Sequence, residues 1–207
     1  MMNFAKPSSK TTEIDRGSGR GSGLVSGTRV ATTIGWRPVE AVIPGDEVLT
    51  FDEGLKPVTR VVRSVLWPDP ESCPRHLCPL HVPADALGNH ADMLLLPEQL
   101  VMLESDIAEQ VFGDPFSLLP AQALDGFRGI VRVKPETRIE VVSICFESDQ
   151  VVFANIGALF FCPKVLCGEV RADLPDEDDS PYLPLSLTEA ETLTEIIAAD
   201  EDQDRVN

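Results

Sequence analysis

The clearest indication of the fold is the stretch SGLVSGTRVATTIGWRPVEAVIPGDEVLTFD, residues Ser22–Asp52. It consists of short runs of β-branched and aliphatic residues, such as GTRVAT, RPVEAV and EVLTF, that are separated by Gly, Pro and Asp. Such runs predict short strands, and the PGD at Pro44–Asp46 predicts a tight turn between two of them. No strand–helix–strand alternation follows, so a parallel α/β sheet is excluded.

The same pattern continues to Pro163. The run KPVTRVVRSVLW, residues 56–67, is the longest strand candidate, and PLHVP, DMLLL and LVMLE follow it. The runs RIEVVSICFE and QVVFAN are predicted to pair as a hairpin around Ser148–Asp149, and ALFFC ends the unit. Helix is predicted only in SDIAEQVFG, with Ser105 as N-cap and Gly113 as C-terminal stop, and briefly in LPAQALDG. We therefore expect a mostly β fold with a short helical insertion.

Three segments are predicted along the chain. Residues 1–22 read as a flexible Gly/Ser-rich N-terminal arm, residues 23–168 as the β domain, and residues 169–207 as an acidic linker with an amphipathic C-terminal helix. In that helix, Ser186 and Glu189 form a capping box. An apolar stripe at helical spacing either packs on the β domain or docks a protein partner; it comprises Leu187, Ala190, Leu193, Ile196 and Ile197.

Charge and hydropathy exclude several classes of partner. The 207 residues carry a formal net charge of −17, and residues 171–207 hold much of the acidic excess. Nucleic acid would require a basic face, so we expect no nucleic-acid partner. No apolar run approaches the ~20 residues of a membrane span, and the N-terminus lacks the apolar core of a secretory signal, so we expect a soluble, cytoplasmic protein with no membrane partner.

The cysteines offer a second group of candidate residues. An odd number of them in a chain without an export signal predicts free buried thiols rather than a disulfide framework; they are Cys73, Cys78, Cys145, Cys162 and Cys167.

Four metal-type ligands fall within CPRHLCPLH, namely Cys73, His76, Cys78 and His81. Strand alternation would send His76 and Cys78 to one face and His81 to the other, so we predict ordinary strand residues, no metal site and no cofactor. A turn near CPRH could still bring three of the four together. A small metal-binding or regulatory module is therefore kept as an alternative.

The run GTRVATTIGWRPVEAVIPGDEVLTFDEGLKPV resembles the opening of Hint domains, the module shared by Hedgehog autoprocessing domains and inteins. The pieces GT-x-V-x-T, RPVE, PGD-x-V-x-T and D-x-G-x-x-PV follow one another as in bacterial Hint-domain proteins. The resemblance extends over roughly two thirds of the chain, because two later segments also match: VPADALGNHADMLLLPEQLVMLE and EVVSICFESDQVVFANIGALFFCP. It implies a Hint-type horseshoe of twisted β-hairpins from about Leu24 to Pro163. It also implies structural roles for the motif residues Gly27, Thr28, Pro44, Gly45, Asp46 and Pro97.

The resemblance also says which groups self-processing would need. In that family a Cys or Ser at the first domain residue attacks the preceding carbonyl, and a Thr-x-x-His-type element polarises the peptide and handles protons. Counting back from GT places the nucleophile position at Gly23, which has no reacting side chain. Ser22 and Ser26 are the nearest hydroxyls, and Ser22 would require a one-residue slip of the strand register.

The second block departs from the family in the same way. Aligning LLLPEQLVML with it places Leu96 at the hydroxyl position and Gln99 at the histidine position. A Gln side chain cannot titrate, although its amide can donate a hydrogen bond. We expect Gln99 to lie near the start of the first strand, within reach of the backbone of residues 23–26.

These departures lead to the functional interpretation. We interpret the chain as a Hint-domain protein that has lost the nucleophile and the histidine of autoprocessing, and that serves as a non-catalytic scaffold or interaction module rather than an enzyme. No splicing is expected, because the β unit does not end in the intein Asn. The alternative is an active self-cleaving domain that uses Ser22 or Ser26 as nucleophile and a displaced histidine as base.

Overall fold

The structure is a computed structural model that describes residues 23–164 and 180–206. Two helices lie in these ranges, α1 (Asp106–Phe112) and α2 (Leu187–Val206). Short 3-10 turns occupy Val39–Ala41, Pro70–Ser72, Arg75–Leu77, Ala121–Leu124 and Phe127–Gly129. The strands of the described residues are β1 (Leu24–Val25), β2 (Arg29–Thr32), β3 (Gly35–Pro38), β4 (Glu47–Thr50), β5 (Gly54–Pro57), β6 (Arg60–Leu66), β7 (Leu80–Val82), β8 (Met93–Leu95), β9 (Leu100–Glu104), β10 (Phe116–Pro120), β11 (Val131–Arg132), β12 (Ile139–Cys145), β13 (Gln150–Ala154) and β14 (Ala158–Cys162).

The strands pair antiparallel in three sheets. The largest runs in the order β10-β9-β14-β13-β2-β4-β5, with β3 added beside β2, and it curls into a half-barrel. A second sheet has the order β1-β12-β6, and a third has the order β11-β7-β8. The prediction of a mostly β fold with a short helical insertion and a C-terminal helix is confirmed.

The predicted hairpin of RIEVVSICFE with QVVFAN is wrong. Strand β12 pairs with β1 and β6, whereas β13 pairs with β14, so the chain changes sheets between Cys145 and Gln150. Both strands are buried along most of their length. The partners of β12 lie far away in sequence, so the connection between Cys145 and Gln150 does not form a hairpin. The hairpin present here is β13–β14.

The longest predicted strand, residues 56–67, is divided between β5 and β6. The division falls at Val58, whose N–H donates to the Asp46 carbonyl at 2.8 Å and whose carbonyl accepts from the Gly45 N–H at 2.8 Å. Gly45 has a φ of +94°, a conformation that glycine adopts without strain. The predicted turn at Pro44–Asp46 therefore forms, and it interrupts the neighbouring strand.

Helix α2 packs on the β domain. Ala190, Leu193 and Ile197 are buried, and Thr194 Oγ1 donates to the Ala123 carbonyl at 3.2 Å. Glu201 forms an ion pair with Arg128. The packed-helix interpretation is therefore confirmed, and the buried part of the apolar stripe is covered by the domain itself. Leu187 and Ile196, predicted to belong to the stripe, are exposed instead.

Both helix starts carry the predicted caps. Ser105 Oγ accepts from the Ile107 N–H at 3.1 Å, and Gly113 ends α1 in the left-handed conformation. At α2, a Glu189 carboxylate oxygen accepts from the Ser186 N–H at 2.9 Å, and Ser186 Oγ accepts from the Glu189 N–H at 3.3 Å. Neither α1 nor α2 combines the length and apolarity needed to cross a bilayer.

Candidate functional site

The centre of the site is a hydrogen bond between the start of β1 and the turn that follows β8. Gly23 directly precedes β1, and Gln99 is 3% exposed in the turn that its N–H closes on the Leu96 carbonyl at 3.0 Å. Gln99 Oε1 accepts from the Gly23 backbone N–H at 2.9 Å. The expectation that Gln99 lies within reach of residues 23–26 is therefore confirmed.

Gln99 is saturated by its partners. Its Nε2 donates to the carbonyls of Leu100 and Phe161, at 2.9 Å each. Two carbonyls need donors and the Gly23 N–H needs an acceptor, so these partners allow only one orientation of the amide. Both Nε2 hydrogens are engaged, and neither points at the Gly23 nitrogen. Gln99 therefore acts as a hydrogen-bond acceptor for the Gly23 N–H, and its amide directs no hydrogen to the Gly23 nitrogen.

The space around Gly23 does not suit a larger residue. Its φ is +116°, and a Cβ built on it would lie 2.5 Å from Val141 Cγ1 and 3.2 Å from Ser143 Oγ. Val141 is buried and β-branched, so its side chain has little freedom to move away. Position 23 therefore lacks both a reacting group and room for one in this conformation.

A small cavity of about 100 Å³ opens beside this pair. Its wall includes Gly23, Gln99, Ser143, Phe161 and Cys162. Sequence reasoning missed Ser143, which comes to the site because its strand, β12, pairs with β1. Ser143 could have been predicted to lie here only from the pairing of β1 with β12. The sequence-based prediction instead paired β12 with β13.

Of the alternative catalytic residues, those that the structure describes lie outside the cavity wall. Ser22 is outside the described residues. Ser26 sits in the turn after β1, where its N–H donates to the Glu140 carbonyl at 2.8 Å, and it is not part of the cavity wall. The histidines are also absent from that wall: His81 Nε2 lies 3.2 Å from an Asp92 carboxylate oxygen, and the His90 N–H donates to a backbone carbonyl. Within residues 23–164 and 180–206, the structure therefore brings together Gly23 and Gln99, but neither Ser26 nor a histidine lies in the cavity wall.

A family model of the Hint domain matches residues 22–159, which is more than half of the chain. This chain belongs to the Hint-domain family. Comparison with curated protein sequences gives no match.

Solved structures similar to this Hint domain include inteins and an intein-like domain. A splice-inactive variant of the AceL NrdHF class 3 split intein is 14% identical, with a TM-score of 0.45, and the alignment covers 70% of this chain and 99% of that one. The bacterial intein-like domain from Clostridium thermocellum is 13% identical, with a TM-score of 0.46 and coverages of 68% and 98%. The gp41-1 intein is 14% identical, with a TM-score of 0.40 and coverages of 66% and 97%.

The opening motif of this Hint domain builds a polar frame around the first hairpin. Asp46 accepts from Arg37 Nη1 at 2.8 Å and from the Ile43 N–H at 3.0 Å. A Glu40 carboxylate oxygen accepts from the Gly27 N–H at 2.9 Å. RPVE and PGD thus supply side chains that bind the turn between β1 and β2 and the turn before β4.

The remaining motif residues sit at backbone junctions of the Hint domain. Thr28 is buried, its N–H donates to the Val25 carbonyl at 3.0 Å, and its carbonyl accepts from the Val39 N–H at 2.8 Å. The Pro97 carbonyl accepts from the Gln122 N–H at 2.9 Å. These are backbone contacts between segments, and the structural roles that the family resemblance implies for the motif residues stay predictions.

Leu96, at the family's hydroxyl position, belongs to a small apolar cluster. It is fully buried and packs with Val25, Ile139 and Val141 beneath β1. A hydroxyl placed there would need a hydrogen-bond partner inside an apolar cluster. The cluster is therefore consistent with an apolar side chain at this position.

The cysteine and histidine cluster of the Hint domain differs from the sequence prediction. Only His81 lies in a strand, because Pro70 and Pro74 introduce 3-10 turns before it. Cys73 and Cys78 end these two turns, with their Sγ atoms 3.1 Å apart. Within residues 23–164 and 180–206, no three His, Cys, Asp or Glu side chains form a metal-binding group.

The prediction of free thiols holds for some cysteines and fails for one. Cys73, Cys78 and Cys162 are free and buried, and burial raises the pKa of the Cys162 thiol to about 12. Cys145 is disulfide-bonded, which corrects the prediction for that residue. Sequence alone could not identify it, because cysteine pairing depends on distances between Cβ atoms in the folded chain.

Proposed function

We propose that this Hint domain does not process its own backbone and serves as a non-catalytic scaffold or interaction module. The observation that carries the proposal is the hydrogen-bonding of Gln99 between Gly23 and the carbonyls of Leu100 and Phe161.

Self-processing would start with attack on the carbonyl that precedes residue 23. Gly23 has no side chain to attack with, and its backbone conformation places a Cβ against Val141. A stable amide without a positioned nucleophile has no route to the ester or thioester intermediate.

The leaving nitrogen of residue 23 would also have to gain a proton. Gln99 presents an acceptor to that nitrogen, and its two N–H bonds are directed to other carbonyls. Loss of general-acid help costs about 10²- to 10⁴-fold in rate. The missing nucleophile and the missing proton donor therefore support the same conclusion.

Intact-mass spectrometry of freshly expressed full-length protein tests the proposal. We expect a single species near 22.6 kDa, with and without dithiothreitol or hydroxylamine. Release of a fragment that ends at residues 21–25 would overturn the proposal. If Ser22→Ala or Ser26→Ala abolished that release, the affected serine would be the nucleophile of an active domain.

A further inference from the structure

The two thiols of Cys73 and Cys78 lie in contact at a site separate from the Gly23–Gln99 pair. Their Sγ atoms are 3.1 Å apart, which is farther than the bond length of about 2.05 Å but close enough for small side-chain movements to reach it. The contact follows from the local fold, because the Cys78 N–H donates to the Pro74 carbonyl at 3.1 Å and so turns the chain back toward Cys73.

Neighbouring side chains hold this loop in place. Arg132 Nη1 donates to the carbonyls of His76 and Cys78, at 2.8 Å and 3.0 Å. Lys134 forms an ion pair with Glu71 at the other end of the loop. The two sulfurs are therefore kept together by contacts that do not involve the sulfurs themselves.

Both cysteines also line a surface cleft. Its wall includes Cys73, Cys78, Arg132 and Lys134. A small molecule in the cleft can therefore approach the thiols, although each is largely buried.

We propose that Cys73 and Cys78 form a dithiol pair that closes to an intramolecular disulfide by exchange with a small-molecule disulfide such as oxidised glutathione. One cysteine sulfur, as thiolate, attacks the small disulfide, forms a mixed disulfide and releases one small thiol. The second cysteine sulfur then attacks the protein sulfur of the mixed disulfide and releases the second. Two protons and two electrons pass from the protein thiols to the two small thiols.

The surroundings predict a slow, structural bond rather than a rapid sensor. Burial, and then the contact with Cys78, raise the pKa of the Cys73 thiol to about 12, while Lys134 and Arg132 act in the opposite direction. The thiolate is the attacking species, so exchange in the folded protein is slow and proceeds as the chain folds or the loop opens.

Peptide mapping of the full-length protein tests the proposal directly. Trypsin cleaves after Arg63, Arg75 and Arg128, so a Cys73–Cys78 bond would link peptide 64–75 to peptide 76–128. After refolding in a glutathione redox buffer and alkylation in denaturant, we expect the linked pair as the main form. Cys73 and Cys78 both alkylated, or each linked to another cysteine, would overturn the proposal.

Cys162 is the matched control, because it is free and similarly buried, and no thiol within residues 23–164 and 180–206 is in hydrogen-bonding contact with it. We expect it to be alkylated in the same digest. Its peptide, 139–164, also contains the disulfide-bonded Cys145, which is therefore scored separately.

A second measurement compares the melting temperatures of oxidised and reduced protein in the wild type and in Cys73→Ala/Cys78→Ala. Closing this short loop is expected to raise Tm by about 4–9 °C. The bond at Cys145 is present in both proteins, so its effect cancels in the difference. The same oxidation-dependent shift in the variant would contradict the proposal.

Discussion

The backbone N–H of Gly23 donates a 2.9 Å hydrogen bond to the side chain of Gln99, 76 residues later in the chain. The bond joins the two segments that a self-processing Hint domain would use for chemistry. Here it connects a glycine to an amide that already serves two other carbonyls. We therefore expect loss of this contact to lower stability.

Gln99→Leu is expected to lower the free energy of unfolding by about 2–4 kcal/mol. The substitution leaves the Gly23 N–H and the carbonyls of Leu100 and Phe161 without this partner in a partly buried place. Urea unfolding measures the loss. Glu98→Gln, an exposed change in the same turn, is the control and should stay within about 0.5 kcal/mol of the wild type. Equal stability of the two variants would show that the three bonds contribute nothing.

Gly23→Ala is expected to be more destabilising than Gly27→Ala by about 1–3 kcal/mol. Both glycines have positive φ, but a Cβ at Gly27 meets no atom within 4 Å, whereas one at Gly23 meets Val141 Cγ1 at 2.5 Å. The difference in unfolding free energy between the two variants therefore measures the cost of the clash between the added Cβ and Val141. Adding Val141→Ala should make Gly23→Ala less costly, and additive effects in this double-mutant cycle would exclude the clash.

Restoring self-cleavage is expected to require a nucleophile and a histidine together with free space for the side chain at position 23. Gly23→Cys/Gln99→His/Val141→Ala should show thiol-dependent release of residues 1–22, because the third change removes the methyl groups that face position 23. Gly23→Cys/Val141→Ala, which lacks the histidine, should cleave about 10²- to 10⁴-fold more slowly. Intact-mass time courses with dithiothreitol measure the rates. Equal rates with and without Val141→Ala would show that Val141 is not the obstacle.

Tyr182 provides a test of the contact between the C-terminal segment and the β domain. Its hydroxyl donates to the Asp52 carboxylate, and its ring packs edge-on against Phe161 with centroids 5.6 Å apart. Burial, and then the Asp52 hydrogen bond, raise the pKa of Tyr182 above its ordinary value. The stability this group contributes is therefore complete below pH ~10 and is lost as pH rises through the higher folded-state pKa.

The chain contains a single tyrosine, so tyrosinate absorbance reports Tyr182 alone. We expect a titration midpoint above pH ~10 in the native protein and close to it in concentrated urea. Asp52→Asn should lower the native midpoint, because it removes the negative charge beside the phenol. Identical midpoints in the native and urea-unfolded protein would place Tyr182 in water.

Leu193→Ala is expected to destabilise the domain by about 2–4 kcal/mol. Leu193 is 2% exposed where α2 packs on the domain, while Ile196, one turn away, is 44% exposed. Ile196→Ala is therefore the matched control and should cost less than about 1 kcal/mol. Chemical unfolding of both variants measures the difference, and equal losses would contradict the described packing of α2.

Local sequence signals predicted most of the elements correctly. Ser105 and Gly113 bound α1, Ser186 and Glu189 cap α2, and the PGD turn forms where Gly45 permits a positive φ. Each of these features depends on side chains and backbone conformations within a few residues of one another. Interactions between residues close together in sequence therefore determine these caps and turns.

Pairing between distant strands could not be predicted in the same way. β12 and β13 are adjacent in sequence but do not pair with each other, and the pairing of β12 with the distant β1 brings Ser143 and Val141 next to Gly23. The sulfur contact of Cys73 with Cys78 likewise depends on 3-10 turns that strand alternation did not predict.

Sequence motifs alone identified the Hint domain, and their alignment predicts that Gly23 and Gln99 stand at the positions of the two reacting residues. Only the tertiary structure decided that these residues touch, that the amide of Gln99 is saturated, and that Val141 closes the space at position 23. The reason is physical. Residue identity sets which groups can react, whereas hydrogen-bond direction and free volume arise from packing between segments far apart in the chain.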